Sequence, residues 1–249
     1  MNVLTLRLRS IALAALTAVL LLALQAAPAA ADTATFVPPD GPAANAIDNV
    51  YRAVLGVTIT IFVLVGGWLL YSALRFRVRR GEPVVEPPQV RGSTRLEIGW
   101  TLAPVLVLAA LAGYTIDHIP AVKDPPSNAM VVNVQAQQWS FSYTYGAHSS
   151  VPGKAPAGGA TLVVPVNTAV KLEVRSKDVD HDWWVPALGP KIDAIPGQTN
   201  TTWFKATRTG TFDGQCAEFC GIGHATMLIT VKVVTPAQWT AYTAKLQGT

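Results

Sequence analysis

The sequence predicts a two-helix transmembrane hairpin followed by an all-β domain of Greek-key type. Two observations carry this: two long apolar runs in the first half, and many short β-type segments after residue 129. Half of the 249 residues are hydrophobic, only 14% are charged, and the mean hydropathy is +0.33. These values exclude a disordered chain and an ordinary soluble one. The two cysteines are too few for a disulfide scaffold.

The first 31 residues are typical of a cleaved signal peptide. Arg7 and Arg9 precede an apolar stretch over 11–24, and small residues close the segment before Asp32. A third transmembrane helix is the alternative, but the apolar core is short for one. Residues 32–53 are then predicted to be a periplasmic N-terminal segment.

Two apolar runs are predicted to span the membrane, at 54–74 and 98–118. Each has about the 20 residues that a helix needs to cross a bilayer. Trp68 and Tyr71 lie near the end of the first run, where aromatic rings suit the interface. Pro104 inside the second run predicts a kink. The lengths argue against a buried hairpin of a soluble protein.

The segment between the spans, 75–97, is predicted to be a cytoplasmic loop. It holds six arginines, which outnumber its acidic residues, among them Glu82 and Glu86. The arginines are Arg75, Arg77, Arg79, Arg80, Arg91 and Arg95. The positive-inside rule therefore places everything after the second span outside, on the periplasmic face of a bacterial inner membrane. Because six of the 19 basic residues flank the membrane here, the net charge of +4 does not indicate nucleic-acid binding.

Residues 119–249 are predicted to form the outward domain, with a Pro-rich linker at 122–128 and a Gly/Pro loop at 146–160. The spacing of its strands favours a Greek-key sandwich or barrel. The predicted strands cover 130–136, 139–145, 161–166, 169–176, 200–206 and 227–234, and a closing helix with Pro in its first turn covers 236–247.

Five possible metal ligands converge in the sequence of this domain. Cys216, Cys220, His224 and Met227 lie within twelve residues, and His181 lies upstream. Thiolate, imidazole and thioether together are the donors that suit copper, whereas zinc favours four Cys or His ligands and Mg²⁺ favours oxygen.

Two cysteines separated by three residues can bridge two metal ions. His181 and His224 would then each complete one ion, with Met227 a weak ligand on one side and the backbone carbonyl of Glu218 on the other. A mononuclear blue-copper centre would leave one cysteine surplus, so we favour two coppers. The alternative for Cys216 and Cys220 is a disulfide, which an oxidising compartment permits.

These residues resemble subunit II of the haem–copper cytochrome c oxidases, and the resemblance covers essentially the whole mature chain. The family pattern C-x-E-x-C-x-x-x-H-x-x-M is matched over 216–227, and the upstream histidine by His181. The segment LEIGWTLAP (96–104) is similar to the start of the family's second helix.

The resemblance implies a cupredoxin domain with a dinuclear copper A centre. Such a centre takes single electrons from cytochrome c and passes them to haem in subunit I, where O₂ is reduced to water and protons are pumped. Subunits I and III are the implied membrane partners. Trp139 matches the family's electron-entry tryptophan, although Phe141 stands where the family usually has a second tryptophan.

Further site residues are implied by the same resemblance. Glu218 matches the side-chain ligand of a Mg²⁺ shared with subunit I, and Glu97 matches a carboxylate at the entry of a proton path; an ordinary interfacial carboxylate is the alternative for Glu97. Four aspartates around His181 form either an acidic docking rim for cytochrome c or a solvated turn. They are Asp178, Asp180, Asp182 and Asp193.

Three other functions share parts of this pattern. A quinol oxidase subunit has the same fold but lacks the copper ligands that are present here. A copper A subunit of a nitric oxide reductase has the ligands but a different partner. A membrane-tethered copper carrier or assembly protein would bind one labile Cu(I), and metal stoichiometry would separate it from an electron-transfer subunit.

Overall fold

The structure is a computed structural model that describes residues 37–77, 86, 89, 92–146, 148–149 and 160–247. The predicted signal peptide at 1–31 lies outside the described residues. Two long helices, α1 (Pro42–Arg75) and α2 (Thr94–Lys123), precede the β domain. The helical part between Tyr51 and Tyr114 forms one compact unit, and Val37–Val50 joins Thr115–Thr249 in a second.

Both helices are longer than the apolar runs that predicted them. Helix α1 has 34 residues and α2 has 30, and the apolar window of neither contains a buried residue. A helix rises 1.5 Å per residue, so about 20 residues cover the hydrocarbon core and the rest extends beyond it. Their uncovered apolar surface fits contact with lipid or with other membrane subunits.

Among the described residues of the second unit, ten strands and a closing helix form the β domain. Two five-stranded sheets have the orders β3-β2-β1-β5-β8 and β4-β10-β9-β6-β7. The strands are β1 (Met130–Gln137), β2 (Ser140–Tyr145), β3 (His148–Ser149), β4 (Leu162–Pro165), β5 (Val170–Ser176), β6 (His181–Trp184), β7 (Ile192–Ala194), β8 (Asn200–Phe204), β9 (Gly210–Cys216) and β10 (Leu228–Val234), followed by α3 (Pro236–Gln247).

The core lies between the two sheets. Alternate residues of β1 are buried, including Val132 and Val134, as a strand with one face on a core requires. Trp183 of the second sheet stacks on Phe204 of the first, with 6.1 Å between ring centroids. The pairs β1–β5 and β4–β10 are parallel, so they need crossover connections and not hairpins. The predicted fold class, two apolar helices followed by an all-β domain, is confirmed.

Some elements differ from the sequence prediction. The predicted linker at 122–128 overlaps α2, which continues to Lys123. The sequence analysis missed β3, β6, β7 and β9. Strand β6 carries His181 and Asp182 among its buried residues, and β9 has two glycines, so neither shows a clean apolar alternation. The closing helix lies at 236–247 as predicted.

The segment before α1 packs on the β domain, which the sequence analysis did not predict. Asp40 is only 3% exposed, and its backbone N–H donates to the carbonyl of Ala187 at 2.7 Å. Its side-chain Oδ1 accepts hydrogen bonds from the backbone N–H of Thr207 at 2.8 Å and from the Thr207 hydroxyl, while Oδ2 lies 3.5 Å from Arg208 Nε. Gly41 has φ of 104° and contacts the carbonyl of Lys205. This segment therefore attaches the start of α1 to the β domain.

Replacing Asp40 with alanine should loosen that attachment. The variant removes the acceptor of the Thr207 N–H and hydroxyl. Loss of each such hydrogen bond costs about 0.5–1.5 kcal/mol. We expect faster amide hydrogen exchange at 205–208 and a lower unfolding temperature of the β domain in the detergent-solubilised full chain. Asp40→Asn keeps an oxygen acceptor and is the control, with a smaller expected effect. Unchanged exchange in both variants would contradict the role given to Asp40.

Candidate metal centre

The candidate ligands are collected by the hairpin of β9 and β10. Cys216 ends β9, and Met227 immediately precedes β10; the N–H of Cys216 donates to the carbonyl of Met227 at 2.9 Å. This bond closes a loop over 217–226, which turns at Gly221 (φ 111°). His181 lies on β6, which pairs with β9 so that Trp183 faces Cys216.

The possible ligand atoms lie in one cluster, in which all the residues except the half-buried His224 are buried. The Sγ atoms of Cys216 and Cys220 are 3.8 Å apart. His181 Nδ1 lies 3.9 Å from the Cys216 sulfur, and His224 Nδ1 lies 3.6 Å from the Cys220 sulfur. The Sδ atom of Met227 is 3.8 Å from the Cys220 sulfur. Each sulfur therefore has its own histidine, and the thioether lies beside one of the two.

Cys216 and Cys220 are free thiols in this structure, so they do not form the disulfide that the sequence left as an alternative. The Cys216 thiol donates to the carbonyl of Glu218 at 3.3 Å, which places that carbonyl at the cluster. Burial, together with the neighbouring Cys216, raises the pKa of the Cys220 thiol to about 12. A Cys220 thiolate would therefore need a bound cation, and metal binding there would release the thiol proton.

His181 is oriented by a carboxylate on its far side. Its Nε2 lies 3.0 Å from Asp178 Oδ1, which leaves Nδ1 directed at the cysteine sulfur. Asp178 also accepts the backbone N–H groups of Gln138 at 2.7 Å and Val179 at 2.8 Å. Partial burial raises the pKa of Asp178, but the hydrogen bonds from Gln138, His181 and Val179 outweigh it and lower the pKa to about 2. A carboxylate in this position fixes the ring orientation and increases the basicity of the ligand. The sequence analysis had placed Asp178 only in the docking rim.

Trp139 lies at the cluster as well. With Gln138 it forms the two-residue turn between β1 and β2, because Gln137 pairs with Ser140. Trp139 Nε1 donates to the carbonyl of Cys220 at 3.1 Å, and Gln138 Nε2 donates to the same carbonyl at 2.9 Å. One turn of the first sheet thus holds the loop over 217–226 of the second sheet, which we call the metal-binding loop. The sequence analysis missed Gln138, since a glutamine before a tryptophan has no periodic signal.

The four predicted docking acids are not equivalent. Asp178, Asp180 and Asp193 are exposed, whereas Asp182 is only 4% exposed and does not present its carboxylate to a partner. Asp182 faces Asp193 across the β6–β7 pair. Burial, followed by the carboxyl of Asp193, raises the pKa of Asp182 to about 7. A docking rim on this face would therefore rest on the other three.

The two glutamates lie in different units. The side chain of Glu218, on the loop over 217–226, is exposed, so its carboxylate lies outside the buried cluster. Its backbone carbonyl, in contrast, lies 3.3 Å from the Cys216 sulfur. Glu97 is exposed in the first turn of α2, in the helical unit.

The donor set fits copper. Two thiols, two imidazoles and a thioether are soft or borderline ligands, and the ligand atoms of His181, Cys216 and Cys220 all lie within 4.8 Å of one another. A structural zinc site is bound by four Cys or His ligands and does not use a thioether, whereas Met227 is fully buried at the cluster. The residues present therefore match a dinuclear copper centre.

Comparisons with known proteins agree with the geometry. The sequence model of the "Cytochrome C oxidase subunit II, transmembrane domain" family matches residues 30–117, and that of the "Cytochrome C oxidase subunit II, periplasmic domain" family matches 157–234. Cytochrome c oxidase subunit 2 of Cereibacter sphaeroides is 31% identical over 245 residues, which cover 86% of this chain and 80% of that protein.

Two further relatives are similar. Cytochrome c oxidase subunit 2 of Alkalihalophilus pseudofirmus is 36% identical, over 78% of this chain and 56% of that protein. The crystal structure of the periplasmic domain of subunit II of cytochrome oxidase from Bradyrhizobium japonicum is 36% identical, with a TM-score of 0.45, over 49% of this chain and 96% of that one.

Two apolar helices, a β-sandwich and a buried Cys/His/Met cluster define a membrane-anchored, cupredoxin-like copper protein. The chain belongs to the cytochrome c oxidase subunit II family. It is thus a subunit of a haem–copper oxidase, an oxidoreductase complex of the membrane.

Replacing Asp178 with asparagine should weaken copper binding. The change removes the carboxylate that accepts from His181, and loss of such a partner typically costs about 10–100-fold in metal affinity. The affinity is measured on the full chain by competition with a Cu(I) chelator. Asp180→Asn removes the same charge from a neighbouring exposed residue and should leave the affinity unchanged. Equal losses in the two variants would mean that charge, and not the contact with His181, is responsible.

Proposed function

We propose that this chain is the copper A subunit of a cytochrome c oxidase in a bacterial inner membrane, with the β domain on the periplasmic face. The observation that carries this is the buried pair of thiols in which each sulfur has its own histidine neighbour. Residues 54–74 and 98–118 would be the membrane spans, 75–97 the cytoplasmic loop, and 119–249 the periplasmic domain.

The ligands divide between two coppers. His181 and His224 would each bind one ion, Cys216 and Cys220 would bind both, and Met227 and the Glu218 carbonyl would be the weaker ligands. When bound, the copper pair supplies a one-electron redox centre. Strand β6 carries His181, and the β9–β10 pairing holds Cys216 and Met227 at the ends of the loop. Strand pairing and the burial of these residues would limit their movement on a change of oxidation state.

Electron entry is assigned to Trp139. Its indole hydrogen bond to the Cys220 carbonyl connects the half-buried ring directly to a ligand residue. The exposed carboxylates of Asp178, Asp180 and Asp193 would steer a basic cytochrome c toward this face. Ile222, which is 95% exposed on the loop beside Trp139, offers the apolar contact that interface centres use.

Electrons would then pass to haem in subunit I, where O₂ is reduced to water with proton pumping. Subunits I and III would cover the exposed apolar faces of the helices together with lipid. The Glu218 carboxylate would bind a Mg²⁺ shared with subunit I, since an exposed oxygen ligand suits that ion. Glu97 would lie at the entry of a proton path.

The decisive experiment is copper analysis with EPR on the detergent-solubilised full chain. We use the full chain because residues 37–46 pack on the β domain. Two coppers per chain, with hyperfine splitting of one unpaired electron by two equivalent copper nuclei, are expected. A single labile copper would overturn the proposal in favour of a copper carrier. Cys220→Ser is the matched control, because loss of one bridging sulfur should abolish the shared electron.

Replacing Glu218 with glutamine should separate the two roles of this residue. The backbone carbonyl remains, so the copper spectrum should be retained, whereas the carboxylate for the second metal is lost. The assembled oxidase is prepared from cells grown with Mn²⁺ in place of Mg²⁺. In the Glu218→Gln oxidase, the EPR signal of bound Mn²⁺ should disappear. Glu173→Gln, which alters a carboxylate paired with Lys171 on β5, should keep that signal. Retention of Mn²⁺ in the Glu218 variant would contradict the assignment.

A further inference from the structure

The indole ring of Trp139 lies against two glycines of the metal-binding loop. A Cβ atom added to Gly223 would lie 2.6 Å from Cγ and 2.8 Å from Cε3 of the ring, closer than the 3.0 Å that real Cβ atoms keep. A Cβ atom added to Gly221 would lie 3.5 Å from Cζ2 and 3.6 Å from Nε1. The ring therefore occupies the space that a side chain at 223 would need.

The backbone explains only one of these glycines. Gly221 has φ of 111°, a conformation that side chains of L-residues rarely adopt. Gly223 has φ of −91° and ψ of 5°, which ordinary residues adopt as well. Nothing in the loop conformation requires glycine at 223, so the close approach of the Trp139 ring is the physical reason for it.

The position of the ring determines its link to the copper ligands. In this position, Trp139 Nε1 lies 3.1 Å from the carbonyl of Cys220. Gly223, which the ring covers, directly precedes His224. A ring displaced by a methyl group at 223 would lose that hydrogen bond and move away from both ligand residues.

We propose that Gly223 is a positioning residue for electron entry: its lack of a side chain seats Trp139 on the metal-binding loop. The proposal rests on the electron-entry role assigned to Trp139 above. It concerns the contact between the ring and the loop, and it leaves the copper ligands themselves unchanged.

A first test needs no copper. The full chain is labelled with 5-fluorotryptophan, kept metal-free in detergent and examined by ¹⁹F NMR. The resonance of Trp139 is the one that Trp139→Phe removes. Gly223→Ala should shift that resonance. Gly189→Ala is the matched control, since its Cβ would meet neighbours only at 3.6 Å and 3.8 Å and none of them is Trp139. An unshifted Trp139 resonance in Gly223→Ala would overturn the proposal.

A second test measures electron entry in the assembled oxidase. Reduced cytochrome c is mixed with the oxidised enzyme, and the first electron transfer is followed by stopped flow at saturating donor. Gly223→Ala should slow this step by about tenfold or more, since small misplacements of reacting groups carry penalties of that order. Copper content should stay unchanged, because Gly223→Ala alters none of the metal-binding side chains, and Gly189→Ala should behave as the unmodified enzyme.

A double variant separates this proposal from the function on which it rests. If the effect passes through the ring, Gly223→Ala should add nothing in a Trp139→Phe background. Independent, additive slowing would overturn the role of Gly223. If Trp139→Phe alone leaves the rate of the first electron transfer unchanged, then Trp139 is not the electron-entry residue, and the proposed function is contradicted instead. If Gly223→Ala does not fold, recovery of folding and copper binding in the double variant supports the contact with the ring, and absence of recovery overturns it.

Discussion

The pairing of β9 with β10 is the constraint on which the site depends, because it closes a ten-residue loop with a sulfur ligand at each end. Cys216 and Met227 are thereby buried at the edge of the core, and Cys220 and His224 must face them from within the loop. Burial raises the pKa of the Cys220 thiol to about 12, so this buried position favours a neutral Cys220 thiol in the absence of a cation. A bound metal ion would supply the charge that a Cys220 thiolate needs.

A second constraint comes from the opposite sheet. The turn at Gln138 and Trp139 donates two hydrogen bonds to the Cys220 carbonyl, and the N–H of Gln138 also binds the carboxylate that orients His181. The same two residues therefore fix ligands that come from different strands. Ligands held from both sheets cannot shift independently, which is the property that electron transfer with little rearrangement requires.

The sequence predicted the helices and the β domain, because apolar length and strand spacing are local signals. It also singled out the cysteines, histidines and methionine that the structure places in one cluster, since four of the five lie within twelve residues. It did not predict that Asp40 packs on the β domain, since the partner residues lie 167 positions away. It placed Asp182 in a docking rim, but β6–β7 pairing buries that carboxylate against Asp193. It also gave no role to Gly223, whose significance appears only when the Trp139 ring is placed over it. Each failure concerns a contact between residues that tertiary structure alone brings together.

Burial of the ligands also bears on the choice between an electron-transfer subunit and a copper carrier. A carrier must pass its metal to a partner, so at least some ligand atoms need to be reachable from the surface. Here His181 and Met227 are fully buried and both cysteines nearly so, whereas His224 is half-buried and Phe219 and Ile222 are exposed. Copper held by the buried ligands would leave most readily if the β9–β10 loop opened, and opening it would break the hydrogen bonds from Gln138 and Trp139. An electron needs no such opening, because the half-buried Trp139 ring already links the loop to the surface. The arrangement thus favours a resident metal pair that exchanges electrons over a cargo ion that is handed on.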